Sequence, residues 1–243
     1  RQVTYASVAG GILLLLIGVP AFFALSKHGT CTDDKRNGKE RGVDCGGACT
    51  RICTADALPL KIVWSRVFLV NDTLYSAVGY IENPNPGGGA PEATYTFTVV
   101  DDRNITIATR EGKVAVPAQQ RFAIFETGID VGQRLPARTF LEFDPITTWE
   151  RRENVQKNIR VTDSRLLEEE SAPRLEATLR NSGLLRFSTM KVIALLYEKC
   201  DNAVAVSSTV LRSLDPEGVA SVTFTWPTPF SSPINRIEVI PQP

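Results

Sequence analysis

The chain repeats itself. Lys61-Ile-Val-Trp-Ser-Arg-Val-Phe-Leu69 reads against Asn158-Ile-Arg-Val-Thr-Asp-Ser-Arg-Leu-Leu167, and Tyr75-Ser-Ala-Val-Gly-Tyr-Ile-Glu-Asn83 against Arg174-Leu-Glu-Ala-Thr-Leu-Arg-Asn181. Further on, Tyr95-Thr-Phe-Thr-Val-Val-Asp101 matches the run from Met190 to Tyr197, and Val114-Ala-Val-Pro117 matches Ser213-Leu-Asp-Pro216. The ends agree too, with Thr139-Phe-Leu-Glu-Phe-Asp-Pro145 beside Asn235-Arg-Ile-Glu-Val-Ile-Pro241. A spacing of roughly a hundred residues held through this many segments marks a duplicated module.

Within each copy, short runs rich in Val, Ile, Thr, Phe and Tyr alternate apolar with polar and are separated by clusters of Gly, Pro, Asn and Asp. Period two, repeated about seven times in a module of this size, predicts a two-sheet antiparallel sandwich. The expected fold class is therefore mainly β, with two tandem immunoglobulin-like β-sandwiches at 58–147 and 158–243. The charged, glycine-free stretch 148–157 reads as a short extended linker of modest freedom. Asn83-Pro-Asn-Pro-Gly-Gly-Gly89 reads as a flexible loop, and Trp64, Trp149 and Trp226 as core or interface packing.

Ahead of the modules, no charged residue occurs from Gln2 to Ser26, and Ala9 to Leu25 is almost continuously apolar. A helix of about twenty residues reaches the roughly 30 Å of a hydrocarbon core, so 1–28 is expected to be a transmembrane anchor. Phe22 and Phe23 spoil the small-residue rule of a cleaved signal peptide at Ala21-Phe-Phe-Ala24. Flanking charges leave the orientation open. Four cysteines follow directly, at 31, 45, 49 and 53, a density that fits an oxidising compartment. The expectation is a cell membrane protein with a cytoplasmic N-terminus and its other domains extracellular or periplasmic.

The cysteine-rich segment, 29–57, has few core-forming residues, so covalent bonds must hold it. Two disulfides among Cys31, Cys45, Cys49 and Cys53 would do so, in any of three pairings. The spacings lack the paired CxxC knuckles of structural zinc sites. Asp33, Asn37, Glu40 and Asp44, with Asp34 nearby, supply the oxygen chemistry that calcium takes. They do not follow the EF-hand alternation, and acidic turn residues capping their own loop and pairing with Lys35, Lys39 and Arg41 are the competing reading. Cys200 has no second cysteine within its module and is expected to be a free thiol or a site of intermolecular pairing.

Two resemblances follow from these motifs. The pattern C-x-D-x3-N-G-x-E-x-G-V-D-C-G-G-x-C, from Cys31 to Cys49, resembles a short cysteine-rich segment of many bacterial surface and secreted proteins, which implies a location just outside a membrane anchor. The modules resemble FxLYD-like and related immunoglobulin-like domains of bacterial envelope proteins. The counterparts are Asn181, Leu196-Tyr197-Glu198 and Pro216-Glu217-Gly218, and in the first copy Asn83, Val99-Val100-Asp101 and Pro117. The first copy lacks the Leu-Tyr pair and the glycine. The resemblance implies non-enzymatic spacers or binding domains.

Composition narrows the chemistry. Lys plus Arg and Asp plus Glu both number 27, so no basic field is present to hold nucleic acid. One histidine, His28, starves proton shuttles and imidazole metal sites. No phosphate loop or HExxH motif appears, and Asp101-Asp102 and Glu168-Glu169-Glu170 read as acidic turns. The expectation is a protein that is not an enzyme and has no cofactor beyond a candidate calcium ion. Its expected partners are the lipid bilayer and other subunits of a membrane or surface assembly. The alternatives are a ligand- or cation-binding receptor, at the cysteine segment or at 84–91, and a pilus-like filament subunit.

Overall fold

A computed structural model describes residues 11, 15–20 and 31–242. Residues 11 and 15–20 are helical, but most of the expected membrane span lies outside the described residues. Among the described residues, no helix is long and apolar enough to cross a membrane. The chain divides into two compact units, Arg1–Cys53 and Thr54–Pro243.

In the first unit the chain between Cys31 and Cys53 is mostly turns, ending in the short strand β1 (Arg51–Ile52). Its disulfides pair Cys31 with Cys49 and Cys45 with Cys53, which selects one of the three pairings that spacing left open. Cys49 is buried, and an isolated bridge joins Gly42 to Cys45. With so little apolar surface, these cross-links supply what a core cannot.

The second unit contains the duplicated fold. Its first half has strands β2 (Lys61–Asn71), β3 (Leu74–Glu82), β4 (Gly88–Val100), β5 (Thr106–Val116), β6 (Arg121–Asp130), β7 (Arg138–Phe143) and β8 (Trp149–Arg151). The second half has β9 (Ile159–Leu167), β10 (Arg174–Asn181), β11 (Met190–Tyr197), β12 (Ala203–Leu211), β13 (Val219–Thr225) and β14 (Arg236–Gln242). In the first half β2-β3-β6 form one sheet, while β4 pairs with β5 on one side and with β7 and β8 on the other. In the second half the sheets are β9-β10-β13 and β12-β11-β14. Apart from β8, which has no counterpart in the second half, the two halves have the same connectivity, as the repeat predicts.

Each sandwich encloses an alternating core. In the second, Leu175, Ala177, Leu179, Val222 and Phe224 of one sheet meet Met190, Val192, Ala194 and Leu196 of the other. In the first, Phe97, Ile81, Phe122 and Leu141 are buried. Gly79 allows β3 to approach closely there, because a methyl at that position would collide with Leu141.

The two sandwiches also share a core. Val78, Tyr80, Ala123 and Phe125 of β3 and β6 pack against Ile193, Leu195 and Tyr197 of β11, with Ala203, Val206 and Ile240. The β2-β3-β6 sheet thus lies face to face on the β12-β11-β14 sheet, and β3 and β11 are buried on both faces. This explains why Met190-Lys-Val-Ile-Ala-Leu-Leu-Tyr197 is a nearly unbroken apolar run: one set of alternate residues faces each core. Thr54–Pro243 is a stack of four sheets.

The expected linker, 148–157, is built into this stack. Trp149 is 3% exposed, β8 pairs with Gly88 and Gly89 of β4, and the Asn154 amide donates to the Ala118 carbonyl. A 3-10 turn, Val155–Asn158, leads into β9. The expected flexible loop at 83–89 is likewise pinned: Asn83 and Asn85 are buried and Gly88–Gly89 already belong to β4.

Candidate functional site

The junction between the sandwiches holds a partly buried polar cluster. Glu238 enters it from β14, opposite Leu195 of β11. Its Oε1 accepts the Tyr80 hydroxyl at 2.5 Å, and its Oε2 accepts the Tyr197 hydroxyl at 3.3 Å and Arg236 Nη1 at 3.1 Å. The Arg236 guanidinium lies 3.7 Å above the Tyr197 ring centroid and also pairs with Asp201. Burial, reinforced by the Glu238 carboxylate, pushes the Tyr197 phenol up to about 12 and raises Tyr80 further in the same direction. Both phenols therefore stay protonated and act as donors. This is a charge-assisted clamp.

At the rim, Lys191 donates to the Phe125 carbonyl at 2.8 Å and sits over the Phe125 ring, and burial lowers its ammonium below the ordinary lysine value. Gln242 donates to the Ala123 carbonyl from the neighbouring strand. Arg66 of β2 reaches the Ala203 carbonyl and the Asn202 side chain. A cleft of about 520 Å³ opens beside Lys191, walled by Pro117, Phe122, Arg152 and Asn154. Its lining mixes Arg151, Arg152 and Lys191 with Glu150 and Glu153, so it presents no single charge to a ligand.

In the first unit, Asp33, Asn37, Glu40 and Asp44 belong to one hydrogen-bonded loop. The Asp44 carboxylate accepts the Asp33 and Asp34 backbone N–H groups at 2.9 and 2.8 Å. Asp33 accepts Lys35 N–H and the Asn37 amide, and Glu40 accepts Asn37 N–H. Asp34 and Asp44 adopt positive φ, which this side-chain bonding stabilises. Asn37 Oδ1 is buried without a hydrogen-bond partner. Glu40 Oε1 lies 3.5 Å from the Cys49 sulfur. Although Cys31, Glu40 and Cys49 cluster like metal ligands, the two sulfurs are bonded to each other and offer no thiolate.

Cys200 is exposed, with its thiol free, in the turn between β11 and β12. At 84–91, where a ligand loop was a candidate, the Asn85 side chain both accepts from Leu58 N–H and donates to the Leu58 carbonyl, so its polar groups are spent within the fold. Asp101, expected as a solvated edge, is buried and accepts Arg103 and Ile105 N–H and an Arg134 ion pair. The sequence reading missed Tyr80, Glu238 and Arg236. The signal available was an Arg-x-Glu pair in a closing strand; strand pairing makes its counterpart Arg138-Thr-Phe140, two residues earlier than the match of the strand ends in sequence, which had set Glu238 beside Glu142.

No family model matches the chain, and no curated protein matches it. Among solved structures it aligns with red sea bream transglutaminase at 12% identity and a TM-score of 0.26, over 76% of this chain and 29% of that one. The C-terminal globular domain of an oligosaccharyltransferase from Pyrococcus abyssi aligns at 11% and 0.22, over 76% and 46%. A β-glucuronidase of glycoside hydrolase family 2 aligns at 8% and 0.22, over 89% and 29%. The chain thus spans less than half of each of these, and scores this low transfer neither fold nor function.

Proposed function

We propose that the chain is a non-catalytic, single-pass envelope protein: an accessory, scaffolding or adhesive subunit of a larger surface or membrane assembly, with the sandwiches outside the cell membrane. The observation that carries this reading is the shared core. It makes Thr54–Pro243 a stiff body in which Tyr80 and Tyr197 pack in the core between the sandwiches and donate to Glu238. Stiffness suits a part that spaces or positions other proteins. The uncharged stretch from Gln2 to Ser26 supports an anchor, and the two disulfides support an oxidising compartment.

Native mass measurement of the detergent-solubilised chain from its own membranes tests the reading. A defined complex with other proteins is expected. A monomer carrying a small ligand, or an open homopolymer, would refute it.

A second reading, calcium binding by Asp33, Asn37, Glu40 and Asp44, is favoured by the partnerless Asn37 Oδ1. Calorimetric titration of the full chain with calcium, disulfides intact, tests it: saturable heat that Asn37→Ala abolishes supports the site, and no heat removes it.

A further inference from the structure

The two sandwiches stack head to tail, so the junction joins unlike sheets: β2-β3-β6 of the first copy and β12-β11-β14 of the second. An interface of this kind propagates, because each added copy offers the same pair of faces again. The outer sheets of the stack are the repeat counterparts of the two that meet, which raises the question of why stacking stops at two.

The repeat places the counterparts residue by residue. Asn83 directly follows β3 and Asn181 ends the equivalent β10, each donating from its side-chain amide to two backbone carbonyls. Counting back from them, Val78 and Tyr80 at the junction correspond to Glu176 and Thr178 on the outer face of β10. In the neighbouring strands, Phe125 and Ala123 lie opposite Val78 and Tyr80, while Thr223 and Ser221 lie opposite Glu176 and Thr178. On the other sheet, the turns beginning at Asp101 and Glu198 close with the same backbone bonds, Asp101 N–H to Ile105 and Glu198 N–H to Asn202. Counting back from these, Ile193 and Leu195 at the junction correspond to Thr96 and Thr98 on the outer face of β4. Their β14 and β7 neighbours follow suit at one position, where Ile240 corresponds to Glu142. Phe140 stands opposite Thr98 as an exposed apolar side chain, at the position where the junction has Glu238 opposite Leu195.

We infer that the stack is terminated on both faces by these polar replacements, so that the chain is a closed pair of modules that does not add further copies of itself through its sheet faces. Burying Glu176 or the threonine row against a second copy would strip them of water with no partner supplied. Asp163, Arg165 and Glu176 line a polar groove on one outer face, which deepens the mismatch with an apolar partner.

The test restores the junction residues. In the full-length chain, in detergent with disulfides intact, Thr96→Ile, Thr98→Leu, Phe140→Glu and Glu142→Ile are placed on one outer face, and Glu176→Val, Thr178→Tyr, Ser221→Ala and Thr223→Phe on the other. Sedimentation velocity across a dilution series is expected to show either single-face variant behaving as wild type and the two-face variant gaining mass with concentration. A two-face variant that keeps the wild-type circular dichroism and sediments as wild type overturns the inference. A second measurement does not depend on that variant folding. A Thr98→Cys, Thr178→Cys, Cys200→Ser chain under mild oxidation is expected to form no intermolecular disulfide, and efficient Thr98→Cys to Thr178→Cys cross-linking would overturn the inference.

Discussion

Tyr80 donates its hydroxyl to Glu238 at 2.5 Å across the face where the two sandwiches meet. Tyr80→Phe keeps the ring and removes the donor, leaving Glu238 Oε1 short of its partner. Denaturant unfolding is expected to show a loss of about 1–2 kcal/mol, with the smaller effect from Tyr197→Phe, whose bond is longer at 3.3 Å.

Alkali should act at the same place. The Tyr197 phenol is raised from 10.0 to about 12, chiefly by burial and then by the Glu238 charge, so the folded state holds its proton more tightly than the unfolded chain. That contribution is complete below pH 10 and is lost as pH rises toward 12. On the acid side, N–H bonds from Ile105 and Arg103 and the Arg134 charge lower Asp101, so its contribution is present above the ordinary value of 3.8 and is lost as pH falls through the lowered one. Thermal unfolding followed against pH checks both limbs. A midpoint still rising above pH 10 would contradict the first.

Asn83 and Asn181 perform the same task in the two copies, each being 0–1% exposed and tying two loops by its amide. Alanine at either position orphans two carbonyls, at about 1–3 kcal/mol for each one left buried. The two variants are expected to lose similar stability in urea titrations. Aspartate, which cannot donate when ionised, should be no better than alanine.

The disulfide pairing predicts thiol reactivity. Cys45→Ala should leave Cys53 open to alkylation while Cys31 and Cys49 stay unreactive until reduction, as read by intact mass. Labelling of Cys31 in that variant would indicate a different connectivity. Cys200 should react in every variant.

Much of the β architecture could be read from the residues, because alternation and turn chemistry are local. The repeat of Asn83 at Asn181 and of the Asp101 turn at Glu198 carried the duplicated topology. The meeting of the two copies was harder to see. Its trace is the continuous run Val192 to Tyr197, which departs from period two because both faces are covered. Thr94-Tyr-Thr-Phe-Thr98 in the other copy keeps the alternation because one face remains polar. The 148–157 stretch misled for a related reason: Glu150, Arg151, Arg152 and Glu153 look like a solvated connector, yet Trp149 anchors it and backbone pairing to Gly88 and Gly89 needs no apolar side chain. The Glu238 clamp was not legible, since a carboxylate in an edge strand ordinarily faces water.

Distance distributions between spin labels at Thr109→Cys on the first sandwich and Thr223→Cys on the second, in a Cys200→Ser chain, measure whether the shared core holds the sandwiches as one body. A single narrow distribution, unchanged by dilution, is the expected result. A broad or multimodal distribution would mean that the sandwiches move independently, and would contradict the account.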